Sequence, residues 1–271
     1  MLNQNIMART YHSINLTEAQ QDFIRLLDAN EIDIFSIASI EKLIGKKIHL
    51  LNEIIENLTK KDFLSRFENG KYCRTNFKDE LVIGCHLVNG GCVSYWSALN
   101  KHRLTEQFPN TIFIQSMKRK LDKKVFGVNY QFVTIAPSKF TGIITEGFGN
   151  HSYRITDVEK TIVDCFDLPE YSGGYAELIR AFNDATLSGE KMIEYCQAIH
   201  NIAATKRIGF LAELLNKKGM KAFIRYAQKQ IKEAYNVFDS QGKEKGEFVN
   251  EWRLRLNLSR EEILGICNKV Y

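Results

Sequence analysis

Proline is scarce in this 271-residue chain, with 3 in all. No low-complexity tract interrupts it either, so little of its length is expected to be disordered. Apolar runs are short. None approaches the roughly 18 residues that cross a bilayer, which predicts no membrane partner. The opening stretch, MLNQNIMARTYHSINLTEAQ, lacks the charged-then-apolar layout of a secretion signal. The six cysteines, Cys73, Cys85, Cys92, Cys165, Cys196 and Cys267, never form a CxxC pair. Scattered thiols in apolar surroundings, such as IVDCF around Cys165, point to free buried cysteines in a reducing compartment. The expected location is therefore cytoplasmic.

Signatures of chemistry are also missing. No GxxxxGKS/T run exists, which excludes a P-loop, and no GxSxG elbow occurs. Gly147-Phe148-Gly149 begins a dinucleotide-type GxGxxG, but Ser152 stands where the third glycine belongs. Cys85, His86, Cys92 and His102 are the densest potential metal ligands, and their spacing fits no usual zinc pattern. Asp157, Glu159, Asp164 and Asp167 surround Lys160, a set that a metal-dependent nuclease would need to converge. Helical periodicity argues otherwise. Val158, Ile162, Cys165 and Phe166 form the core stripe, and Lys160 and Asp164 read as an i, i+4 pair on a solvated flank. No catalytic residue, metal or cofactor is expected, and the chain reads as a non-enzyme.

What is present is charge in blocks. Residues 1–41 hold 2 basic and 6 acidic side chains, while 42–78 hold 9 and 4. Residues 101–124 hold 7 basic and 2 acidic, 125–199 hold 5 and 10, and 200–232 hold 8 and 1. Segregated basic faces attract polyanions.

The first basic block lies in a recognisable layout. Thr17 caps a helix to Asn30 whose apolar stripe is Phe23, Leu26 and Leu27. Ser36 caps a second, with Ile37, Ile40, Leu43 and Ile44 on one face, and Gly45 ends it. A third helix is expected over 47–58, burying Ile48, Leu51, Ile54, Ile55 and Leu58. Two short extended runs follow around Asn69-Gly70, the strongest two-residue hairpin signal. Three helices and a basic hairpin predict a winged helix-turn-helix, whose third helix would enter the major groove. Asn52, Asn57 and His49 would face base edges, with Lys46 and Lys47 at the helix entry. Lys60, Lys61, Arg66, Lys71 and Arg74 would grip the backbone around the wing. Glu53 and Glu56 oppose a purely electrostatic grip.

The winged-helix domain is expected over 1–76, with 1–16 as a flexible arm, and a second domain over 77–271. There, 111–155 is rich in β-branched and aromatic residues and suggests a meander of three or four strands. Everything after Asp157 reads as helical. The whole is α+β: a winged helix, a mixed domain with a small β-meander, and a C-terminal helical bundle. Lys118, Arg119, Lys120, Lys206 and Arg207, in the later basic blocks, are candidate accessory DNA contacts.

Three stretches carry a family resemblance. The first is VNGGCVSYWSALNKHRLTEQFPNTIFIQS (88–116), through Val93 to Leu99, Leu104 to Gln107, and Pro109. The second is YRITDVEKTIVDCFDLPEYSGG (153–174), through Ile155 to Asp157, Glu159 to Thr161, Asp164-Cys165, Pro169 and Gly173-Gly174. The third is Lys206 to Leu211, where Lys206 replaces a more usual arginine. With ENGKY (68–72) as a wing, they resemble the AbiEi-like antitoxin and transcriptional regulator family of abortive-infection (type IV) toxin–antitoxin systems. The resemblance covers most of 17–220. It implies an autorepressor that binds inverted repeats in its own promoter, with two copies meeting on the DNA. It also implies a functional partner, a nucleotidyltransferase-like toxin, which such antitoxins counter without a stable complex. Direct masking of the toxin, or a solitary regulator, are the alternatives it leaves.

Overall fold

The computed structural model describes residues 15–268; the expected flexible arm lies almost wholly outside them. The fold is α+β. Two compact units divide the chain. Unit 1 comprises the residues up to Asp79 together with Phe148–His151. Unit 2 comprises Glu80–Gly147 and the chain from Ser152 onward.

Unit 1 begins with α1 (Glu18–Ala29). Thr17 Oγ1 accepts from the Gln20 N–H at 3.4 Å, and Gln20 Oε1 accepts from the Thr17 N–H at 3.2 Å. This reciprocal box satisfies two of the amides a helix start leaves without partners. Strand β1 (Ile34–Ser36) leads directly into α2 (Ile37–Ile44), which stops at Gly45 in the left-handed region at φ 73°. Next come α3 (Leu51–Lys60), β2 (Leu64–Glu68) and β3 (Lys71–Arg74). The strands pair antiparallel in the order β1-β3-β2. Phe23 and Leu27 of α1, Ile40 of α2, Ile54, Ile55 and Leu58 of α3, and Phe35 and Leu64 of the sheet share one core.

Strand β1 lies at an edge of this sheet, and the short segment Phe148–His151 covers its backbone. The Asn150 side chain accepts from the Asp33 and Ile34 N–H groups at 2.8 and 2.7 Å. It also donates to the Ile34 carbonyl at 2.8 Å. One carboxamide thus does the work of a neighbouring strand, and an otherwise open edge is closed. His151 adds a 2.6 Å contact to Asp33 and an edge-on contact with Phe77. Asn150→Ala removes three bonds and leaves half-buried backbone groups unpaired. It is expected to cost unit 1 about 1–3 kcal/mol, visible as a lower urea midpoint in a transition followed by unit 1 probes.

Unit 2 opens with α4 (Glu80–Leu87), β4 (Cys92–Val93) and α5 (Tyr95–Lys101). Strands β5 (Thr111–Ser116), β6 (Lys123–Val125), β7 (Val128–Thr134), β8 (Ile143–Glu146) and β9 (Tyr153–Thr156) follow. They form one six-stranded sheet in the order β6-β7-β5-β4-β9-β8. This corrects the expected meander. β5 pairs with β7, and β4 with β9, in parallel, so the chain crosses over instead of turning back each time. The missing signal is β4, only two residues between a double glycine and the Ser94 turn.

Helices α6 (Val158–Asp167), α7 (Tyr175–Asp184), α8 (Gly189–Ile199), α9 (Ile202–Leu214) and α10 (Lys221–Lys229) come next. The expected bundle is then interrupted by a small sheet. β10 (Asn236–Val237), β11 (Glu247–Val249) and β12 (Leu254–Leu256) pair in the order β10-β12-β11 before α11 (Arg260–Asn268). Trp252 ties this sheet to α9. Its ring lies so close to Gly209 that a Cβ there would fall 2.3 Å from a ring carbon. Its indole N–H donates to Glu213 at 2.6 Å. Among the described residues no helix is long and apolar enough to cross a membrane.

Candidate nucleic-acid interface

The turn between α2 and α3 and the first turn of α3 gather four exposed candidate contacts. Its path is set by Glu41, whose carboxylate accepts from the Ile48 N–H at 2.9 Å and whose carbonyl accepts from the Lys46 N–H at 3.1 Å. The chain therefore stays in a turn through Leu50, which adopts a left-handed backbone at φ 54°. Helix α3 starts at Leu51, later than the expected Lys47. Lys46, Lys47, His49 and Asn52 are all exposed around this entry. Among the described residues no side chain caps α3, so its first-turn N–H groups are open at the same entry.

Asn57 is half-buried on α3. Glu53 and Glu56 are exposed, and Glu56 pairs with Lys60 at 2.8 Å. The hydrogen bond and charge of Lys60 hold the Glu56 carboxyl below its ordinary range.

Around the hairpin, the candidate residues are more committed to unit 1 itself. Lys61 donates to the Asn15 carbonyl at 2.6 Å and to Gln20 at 3.0 Å, bracing the start of α1. Arg74 pairs with Asp28 and lies 3.9 Å from Asp33. Lys71 pairs with Glu68 at 2.7 Å. Arg66 is exposed, and its guanidinium bonds the Glu68 carbonyl and the Asn69 side chain across the turn. The sequence placed equal weight on turn and hairpin. In the structure the turn carries two exposed lysines, while hairpin cations are engaged largely by neighbouring carboxylates and carbonyls.

The accessory candidates divide in two. Lys118 and Arg119 are exposed in the loop between β5 and β6, and Lys120 lies over the Phe132 ring at 5.6 Å. Lys206 and Arg207 are buried on α9, which removes them as DNA contacts. The Lys206 ammonium donates to the Ala234 and Arg253 carbonyls at 2.9 and 3.1 Å. Arg207 places two N–H groups on the Val237 carbonyl, both at 3.0 Å. These cations brace the small C-terminal sheet.

Burial pushes the Lys206 ammonium down to about 8, with Arg207 and Arg253 adding repulsion. Between that value and its ordinary 10.5, the unfolded chain holds a proton that the folded chain has released. Folding therefore gains stability as pH rises across the window. Lys206→Met is expected to cost about 1–3 kcal/mol near neutrality. Its deficit against the parent protein should widen from about pH 8 to 10.5. Urea denaturation across that range checks both.

The carboxylate cluster of α6 is built into the core of unit 2. Asp157 caps the helix by accepting from the Lys160 N–H at 2.8 Å, and its other oxygen receives Tyr195 and Lys191 at 2.8 and 3.0 Å. Glu159 accepts from the Ser188 N–H at 3.0 Å, and Asp167 from Lys139 and Asn201 at 2.7 and 2.8 Å. Lys160 and Asp164 do pair, but the expected solvated flank is wrong: Lys160 is 0% and Asp164 3% exposed. Gly142 provides the room, since a Cβ there would fall 2.7 Å from Lys160 Cβ. Burial raises the Asp164 carboxyl to about 6 against the opposing pull of Lys160. Among the described residues no group of three His, Cys, Asp or Glu side chains is placed to hold a metal. The thiols of Cys73, Cys92, Cys165 and Cys196 are buried, and burial raises each of them above the ordinary range.

No protein-family model matches the chain, and no curated protein matches it. Among solved structures it is similar to the RV2827C protein from Mycobacterium tuberculosis, with a TM-score of 0.65 at 12% identity. That match covers 94% of this chain and 96% of the other.

Proposed function

We propose that the protein is a sequence-specific DNA-binding regulator and that unit 1 is a winged helix-turn-helix. One observation carries the reading: the entry to α3 presents Lys46, Lys47, His49 and Asn52 around a helix start without a side-chain cap. Phosphate oxygens suit that entry, because both the lysines and the free amides favour an anion. Asn52, at the start of the helix, has the donor and acceptor pair that reads an adenine edge. The order helix, strand, helix, helix and hairpin agrees with the winged-helix topology. The hairpin acts mainly as a brace here, since Lys71 and Arg74 pair internally.

The antitoxin half of the reading rests on the motif stretches at 88–116 and 153–174. On it, the protein represses its own operon from inverted repeats and counters a nucleotidyltransferase-like toxin. A mobility shift on its own upstream DNA against a scrambled duplex tests the regulator. Rescue of growth when the adjacent gene is co-expressed tests the antitoxin. Equal affinity for both duplexes, or no rescue, refutes the corresponding half.

A further inference from the structure

Unit 1 also carries a surface of opposite charge. A groove of about 380 Å³ is lined by Asp28, Glu31, Asp33, Phe148, Asn150 and His151, among others. Phe148 is 77% exposed and stacks along His151, with ring centroids 6.4 Å apart and planes 11° from parallel. Asp28 and Asp33 are engaged by Arg74 and His151. Glu31 is exposed on the groove, and no ion pair engages it among the described residues. Its backbone is left-handed at φ 52°, just past the end of α1, where glycine or asparagine is favoured. A glutamate held there against local preference puts a carboxylate on the same groove as an exposed aromatic ring. That combination recognises a cation carried on an apolar segment.

Unit 2 has such a segment. The loop 117–121 reads Met-Lys-Arg-Lys-Leu. Met117 is 49% and Leu121 77% exposed, with Lys118 and Arg119 exposed between them. Two large apolar side chains flanking basic ones on an exposed loop match the groove in both charge and hydrophobicity.

We infer that the groove of one copy receives the 117–121 loop of a second copy. Arg119 meets Glu31, and Leu121 rests on the Phe148 ring. Each chain holds one groove and one loop, so two copies that exchange them reciprocally form a two-fold pair. The contact is small and charge-rich, which makes the association weak and salt-sensitive. It does not rest on DNA binding and is tested without DNA.

Sedimentation equilibrium of the full chain at low and high salt is the experiment. The expected result is concentration-dependent pairing that weakens with salt. Glu31→Lys and Arg119→Glu are each expected to weaken it by about tenfold or more. The double variant Glu31→Lys/Arg119→Glu should recover most of the loss, because the charges are exchanged. Phe148→Ala should weaken it without altering its salt dependence. All three side chains are exposed, so folding is expected to survive and is confirmed by circular dichroism. A monomer at every concentration overturns the proposal. So does pairing that ignores the single variants, or a double variant no stronger than either single. If Arg119→Glu lowers DNA affinity while pairing is unchanged, the loop serves DNA and the proposal also fails.

Discussion

Lys160→Met is expected to destabilise unit 2 by about 3–5 kcal/mol, the range for breaking a buried ion pair from one side. The reason is geometric. Asp164 is 3% exposed, and its second carboxylate oxygen has no hydrogen-bond partner among the described residues. Without Lys160, Asp164 must either keep an uncompensated charge in the interior or take up a proton, and either costs stability. Its carboxyl already titrates at about 6, above the ordinary 3.8, and loss of the lysine pushes it higher. A carboxyl whose folded value is raised binds more protons folded than unfolded. The variant should therefore regain stability as pH falls from 7 toward 4. Replacing both partners, as Lys160→Met/Asp164→Leu, should recover most of the loss, since two apolar side chains need no compensation. Calorimetric unfolding at several pH values reads all three results. A single-variant cost below about 1 kcal/mol would mean a water-screened pair.

The second large effect concerns DNA. Lys46→Ala/Lys47→Ala is expected to weaken binding to every duplex, by about 10- to 100-fold near 0.1 M salt. Asn52→Ala should instead narrow the gap between the operator and a scrambled duplex, by about 1–3 kcal/mol. Lys71→Ala removes a residue already paired with Glu68 and should leave affinity nearly unchanged. Arg74→Ala should act on stability, because its guanidinium joins β3 to Asp28 of α1. Truncation to 1–79 is not a neutral test of unit 1. It removes Asn150, which closes the β1 edge.

Local signals in the sequence were readable where they were self-contained. Thr17, Gly45 and Asn69-Gly70 act on chain within a few residues, and the first helix, the α2 stop and the hairpin turn fall where those residues predict. The start of α3 was misplaced because Ile48 fits the helical stripe of Leu51, Ile54 and Ile55. The bond from its N–H to Glu41 and the left-handed backbone of Leu50 at φ 54° hold it outside the helix. Buried cations were the harder failure. Lys160, Lys206 and Arg207 look solvated by type, yet their stems pack and their charges meet partners set by the fold. For Lys206 those partners are Ala234 and Arg253, 28 and 47 positions away. Asn150 is further still from its strand, at a separation of 116 residues from Ile34. No periodicity spans such distances. The candidate interface was legible in outline, as a basic stretch with a hairpin. Its concentration on the α2–α3 turn was not, because ion pairs such as Arg74–Asp28 join residues far apart in the chain.

The most direct test is a salt titration of binding to a labelled duplex from the protein's own upstream region, followed by fluorescence anisotropy. Parent protein and Lys46→Ala/Lys47→Ala are compared. Each lysine that neutralises a phosphate steepens the fall of log affinity with log salt by about 0.9. The double variant should therefore have a slope shallower by nearly two, with its fold intact. Identical slopes, or a parent protein that does not bind at low salt, would contradict the assignment of the α3 entry as the DNA-binding surface.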